Sequence, residues 1–358
     1  MKKKMFRKGL VLGIILLFVG MIVIPSSGII IVEEYDMQDK RTYLNNCIFG
    51  ETIYVDDDNT EGPWDGTQEH PYQYIQDGID AANDDDTVFV YQGSYYENIV
   101  IEKGVKVIGE EASHTIIRGS GSEYAVSFKY AEYAELQKFT IENIEGGGYS
   151  YNGIHVCAYS NNIVISENII VQQGWRDGIH VWISDNIMIT NNIICNKAYG
   201  IQIRCSDDCV ISGNIIQDND DEEYGAGIYL FDAQRTLISG NLITDNVRYG
   251  IEVCRGSQNT EIIGNDIREN GIGVRFMSDS IKNTITRNNL VDNIECDATF
   301  GNSKRNRWIA NYWGETPKNR YLKIIVGFVY LDYGIWSYKT RATYWFELFP
   351  SSKPYLIP

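Results

Sequence analysis

Apolar and polar residues alternate in short runs along most of this chain, and the runs recur. The stretch GIHVWISDNIMITNNII, starting at Gly178, alternates in short runs broken by Asn, Asp and Ser. Period two with turn residues between the runs predicts short strands, and no unit holds a stretch long enough for a helix. The phrase returns as GIHV at Gly153, GIQI at Gly200, GIYL at Gly227, GIEV at Gly250 and GIGV at Gly271. A second signal, apolar–polar–x–Asn–x–apolar, falls at Asn168, Asn192, Asn214, Asn241, Asn265 and Asn288, in steps of 24, 22, 27, 24 and 23 residues. FTIENI around Asn143 extends the series weakly toward the N-terminus.

A fixed period in this range means stacked units that share one core. Several short strands per unit predict an all-β fold, a right-handed parallel β-helix of about nine coils. Ile154, Ile179, Ile201, Ile228, Ile251 and Ile272 are then one interior ladder, and Val156, Val181, Ile203, Leu230, Val253 and Val274 a second. The asparagines have a structural purpose. They tolerate left-handed backbone at turns, and stacked in register they bond one another.

The ends read differently. Lys2, Lys3, Lys4, Arg7 and Lys8 precede an apolar run from Gly9 to Pro25 and the small residues Ser26, Ser27 and Gly28. This is the pattern of a secretory signal or, given its length, a membrane anchor, so residues 1–28 predict export. Residues 29–71 read as an extended lead-in. Residues 72–298 are the expected β-helix, opened by a capping helix with Ile75, Ile79 and Ala82 on one face. Residues 299–358 are rich in Trp and Tyr and read as a C-terminal cap.

Removing the five positive charges at the start changes the formal charge from −17 on the chain to −22 on residues 29–358. Such acidity argues against a nucleic-acid partner and against membrane contact beyond the N-terminal segment. The acidic run Asp56–Asp58 reads as a solvated turn, with calcium as the sharper alternative. Seven cysteines show no C-x-x-C and no zinc spacing, and their pairing is open.

The segment IQDGIDAANDDDTVFVYQGSYYENIVIEKGVKVIGE, the repeats GIxV…ISxNxI and NYWG at Asn311–Gly314 resemble right-handed parallel β-helix proteins. The likeness is nearest the NosD-like group, whose repeat module is also described as a carbohydrate-binding and sugar-hydrolase domain. It covers roughly residues 50–314 and concerns residues that build coils, so it speaks to fold more than to function. It implies an extracellular, periplasmic or cell-surface protein with a polysaccharide partner, and copper as a metal to consider.

Outward positions after each repeat glycine form one expected row, His155, His180, Gln202, Tyr229, Glu252 and Gly273, and a second, Cys157, Trp182, Arg204, Phe231, Cys254 and Arg275. Their large, mixed side chains make His155, Trp182, Gln202, Tyr229, Phe231 and Arg275 the candidate ligand-binding set. His155 and His180 in successive coils, with Cys157, are a candidate metal set. For a polysaccharide lyase or hydrolase the groups to consider are Asp177, Glu252, Arg204 and His180. The paired Asp207–Asp208 falls in a turn, and no carboxylate pair sits at the phase a glycosidase needs. Saccharide binding without cleavage is the leading expectation. A lyase or hydrolase, a copper or maturation role, and a purely structural solenoid are the alternatives.

Overall fold

The computed structural model describes residues 50–120, 124–144, 153–171, 177–195, 198–219, 225–314, 322–332, 338–348, 350, 351 and 353–357. The expected signal or anchor in residues 1–28 and the lead-in before Gly50, Cys47 included, lie outside the described residues. No helix among them is long and apolar enough to cross a membrane.

Three-to-six-residue strands wind into a parallel β-solenoid. The described strands form three sheets of 11, 11 and nine members, the second counting two strands of a C-terminal hairpin, and the solenoid strands pair in parallel with strands of the adjacent coils. Short strands suffice because each buries alternate side chains in one shared core and takes its backbone partners from the coils on either side. The first sheet runs from Thr52–Val55 to Arg307–Ile309. The second carries Val126–Lys129, Ile154–Cys157, Ile179–Trp182, Tyr199–Arg204, Ala226–Phe231, Tyr249–Cys254, Ile272–Met277 and Cys296–Gly301 in spatial order. The short helix Ile75–Ala81 packs Ile75 and Ile79 on the first strands, its first two amides held by Glu97 at 2.8 and 2.9 Å.

The interior ladders are real, with one correction. Ile251 stacks on Val274 rather than Ile272, and Val253 on Phe276. The last repeat is therefore shifted by two residues, and Gly273 takes the place expected of Gly271.

The asparagine row runs from Asn168 through Asn288 as expected and goes one coil further. Each Nδ2 donates to the next Oδ1 at 2.9–3.1 Å, ending at Asn311. A second row, Asn219, Asn246, Asn270 and Asn293, was not anticipated; its amides bond at 2.6–3.1 Å. The coil register thus outlasts the boundary expected at residue 298. Beyond it an antiparallel hairpin, Leu322–Asp332 with Tyr338–Leu348, joins the last solenoid strand of the second sheet.

Candidate functional site

The outward face of the second sheet holds the chemically rich side chains. Register there is direct: His155 lies beside His180, His180 beside Gln202, Gln202 beside Tyr229, Tyr229 beside Glu252 and Glu252 beside Arg275. Arg275 thus stands in the first row, where Gly273 was expected. In the second row Trp182, Arg204, Phe231 and Cys254 are consecutive.

At the N-terminal end three rings stack. Tyr124 and His155 lie 4.0 Å apart between centroids, and His155 and His180 lie 5.1 Å apart. His180 Nδ1 is 3.7 Å from a carboxylate oxygen of Asp177. His155 is buried, neither ring nitrogen has a hydrogen-bond partner among the described residues, and burial with Lys129 nearby pushes its pKa down to about 4. The folded protein therefore keeps His155 neutral to about pH 4, whereas the unfolded chain protonates it near 6.5. More protons bind the unfolded state in that window, so this contribution is complete above pH 6.5 and lost as pH falls toward 4. Burial raises the carboxyls of Glu97, Glu252 and Asp266, which act in the opposite sense. Comparison with His155→Phe cancels those shared terms. Urea titrations between pH 4 and 7 should show wild type losing about 2–3 kcal/mol more than the variant. Equal slopes would remove this account of His155.

Farther along, Tyr199 and Tyr229 lie 5.0 Å apart, and the Cys254 thiol is 3.2 Å from the Tyr229 hydroxyl. Burial pushes that thiol up to about 11 and the Tyr229 phenol higher than usual. Cys209 is pushed up to about 12, and Cys157 and Cys205 are also raised. These groups are neutral at pH 7, and none is an activated nucleophile. Arg275 bonds the Tyr249 hydroxyl and lies 3.5 Å from Glu252. Arg204 and Arg255 stand 4.6 and 5.4 Å from the Phe231 ring centre.

The four candidate catalytic groups do not converge. Asp177 and His180 meet, but Glu252 lies three coils away, about 14 Å along the solenoid at the usual strand spacing. Paired carboxylates of glycosidases stand roughly 5–9.5 Å apart. Asp207 and Asp208 lie in the turn, as expected, and are held by Arg235 at 3.2 and 2.6 Å.

The metal set also fails to assemble. Cys157 directs its Sγ to the Phe128 carbonyl at 3.6 Å. Among the described residues no group of three His, Cys, Asp or Glu could hold a metal ion. In the Asp56–Asp58 run, Asp56 accepts the Asp58 amide at 3.1 Å and Asp57 the Ser94 amide at 2.9 Å, the contacts of a turn.

Sequence reasoning missed two exposed aromatics near the Trp182 end of the face. Tyr130 and Tyr159 follow the strands two coils and one coil before that of Trp182 and are 71% and 68% exposed, against 47% for Trp182. Both have positive φ, and in the alternation they read as turn residues.

This architecture is that of the parallel β-solenoids. The chain aligns with the mannuronan C-5 epimerase AlgE4 A-module of Azotobacter vinelandii at 16% identity and TM-score 0.53, covering 72% of this chain and 88% of that one. XylC in complex with xylose aligns at 13% identity and TM-score 0.55, covering 78% and 71%. The Dettilon tailspike protein aligns at 14% and 0.55, covering 76% and 64%, so the chain spans less than two thirds of it. No curated protein sequence matches significantly. Residues 79–334 match the family described as periplasmic copper-binding protein (NosD), and the chain belongs to that family. A periplasmic family is consistent with the expected export. Among the described residues, no third His, Cys, Asp or Glu joins His155 and His180 in a group that could hold a metal ion.

Proposed function

We propose that this protein binds an extended glycan along the outward face of the second sheet. The observation that carries the reading is the aromatic side chains of that face, Trp182 in one coil and Tyr229 and Phe231 two coils further on, with the exposed Tyr130 and Tyr159 following the strands of the two coils before Trp182. Aromatic faces stack on the apolar faces of sugar rings, and two coils set Trp182 and Phe231 about 10 Å apart along the solenoid. The absence of converging carboxylates among the described residues favours binding over cleavage. The epimerase A-module and the xylose complex are β-helices with saccharide chemistry; at their low identity they support the fold and lend no site.

The test is retention of the secreted protein on a panel of neutral and acidic polysaccharides, with product release read in parallel. Trp182→Ala, at an exposed position, should weaken binding about fivefold to tenfold while leaving the melting temperature unchanged. Retention on no polysaccharide would overturn the proposal, and release of shortened chains would replace it with an enzyme.

A further inference from the structure

In a chain of net charge −17, Arg204 and Arg275 stand on this face, and Arg248 and Arg255 immediately flank its strand Tyr249–Cys254, all within four neighbouring coils. Glu252 engages Arg275 at 3.5 Å, while Arg204, Arg248 and Arg255 form no ion pair among the described residues. Aromatic rings hold them instead. Arg204 and Arg255 flank Phe231, and Arg248 lies 5.1 Å from the Tyr249 ring centre. Arg204 also keeps its Nε enclosed, without a hydrogen-bond partner among the described residues. A guanidinium packed on a ring is held in place with its fork free for a planar anion.

We infer that the ligand of this face is an anionic glycan, a polymer bearing carboxylates at regular intervals. The inference rests on the glycan reading above and adds the substrate class. Arg204 and Arg255 lie two coils apart, about 10 Å along the axis, with Phe231 between them. A chain lying along the solenoid meets a cation, a stacking ring and a second cation in turn. Arginine forks bind carboxylates through two parallel N–H···O bonds, and partial desolvation against Phe231 strengthens them. The acidic remainder of the surface repels a polyanion, so attraction is confined to this strip.

The experiment compares polygalacturonate with the same polymer after reduction of its carboxyls, on the whole secreted protein at two salt concentrations. The charged polymer should bind at least tenfold tighter than the reduced one, and added salt should narrow the difference. Arg204→Gln and Arg255→Gln should each cost about tenfold on the charged polymer only. Arg204→Lys should recover part of that loss, since it keeps the charge without the fork. Circular dichroism and melting temperature confirm that each variant is folded. Equal binding of both polymers, indifferent to the arginines, would overturn the charge inference and leave the glycan reading standing. Binding of neither would overturn both. Equal arginine-dependent binding of polyphosphate would show an anion strip without glycan selection and overturn the inference.

Discussion

Replacing Asn241 with aspartate should destabilise the solenoid more than replacing it with alanine, although aspartate is nearly the same size. Asn241 is fully buried. Its Nδ2 donates to the Ile211 carbonyl at 2.9 Å and to Asn265 Oδ1 at 2.9 Å. Its Oδ1 accepts from the Asn214 amide at 2.9 Å and from Asn214 Nδ2 at 3.0 Å. Alanine leaves the Asn214 amide and the Ile211 carbonyl facing a methyl group. Orphaned buried groups cost about 1–3 kcal/mol each, so a loss of about 3–5 kcal/mol is expected. Aspartate keeps the acceptor and removes both donors. It sets a carboxylate oxygen against the Ile211 carbonyl and Asn265 Oδ1 in a fully buried site, where a charge is costly to desolvate. Urea denaturation at pH 7 should order the three proteins wild type, alanine, aspartate, and acidification should narrow the gap between the last two by protonating the new carboxyl. An aspartate variant as stable as the alanine one at pH 7 would contradict the ladder account.

Gly200→Ala should cost about 3 kcal/mol or more, and Gly240→Ala only about 1. The recurring glycine of the GIxV phrase is required by space. A Cβ on Gly200 would lie 2.6 Å from the Gly227 carbonyl oxygen and 2.6 Å from Ile216 Cγ2. One neighbour is backbone of the next coil and the other a core side chain, and neither yields without opening the stack. Gly240 is the control. It adopts φ +63°, and the nearest atom to its Cβ would be the Gly213 nitrogen at 4.0 Å. Alanine there pays only the left-handed backbone strain. Melting curves of the two variants decide it, and equal losses would show that close packing is not what the phrase encodes.

Much of this was legible in the chain because a solenoid repeats one local solution. Period-two alternation, the six Asn positions and the glycine phrase each reflect contacts remade in every coil. The errors fall where the alternation carries no information. Ile272–Met277 follows Gly271 and contains Gly273, and either glycine satisfies the phrase. A two-residue slip preserves inside and outside, so alternation could not expose it. That slip separated Glu252 from Arg275, the ion pair at the C-terminal end of the face. Asn311 sits in WIANYW, where aromatics replace the usual isoleucines and hide the ladder. The second row, Asn219 to Asn293, had the same period and could have been found by aligning on it. Tyr130 and Tyr159 were hidden because left-handed turn positions ordinarily read as polar punctuation. The histidine pair was placed correctly, but only coordinates could show that Cys157 directs its sulfur to a backbone carbonyl.

The glycan-binding claim is tested most directly by hydroxyl-radical footprinting of the protein with and without saturating polygalacturonate. Oxidation of Trp182, Tyr159, Tyr229 and Phe231 should fall when the polymer is bound. Tyr74 and Tyr96, 52% and 70% exposed elsewhere on the molecule, should be unchanged. Bound polymer with Trp182, Tyr229 and Phe231 oxidised as before would contradict the account and move the site off this face.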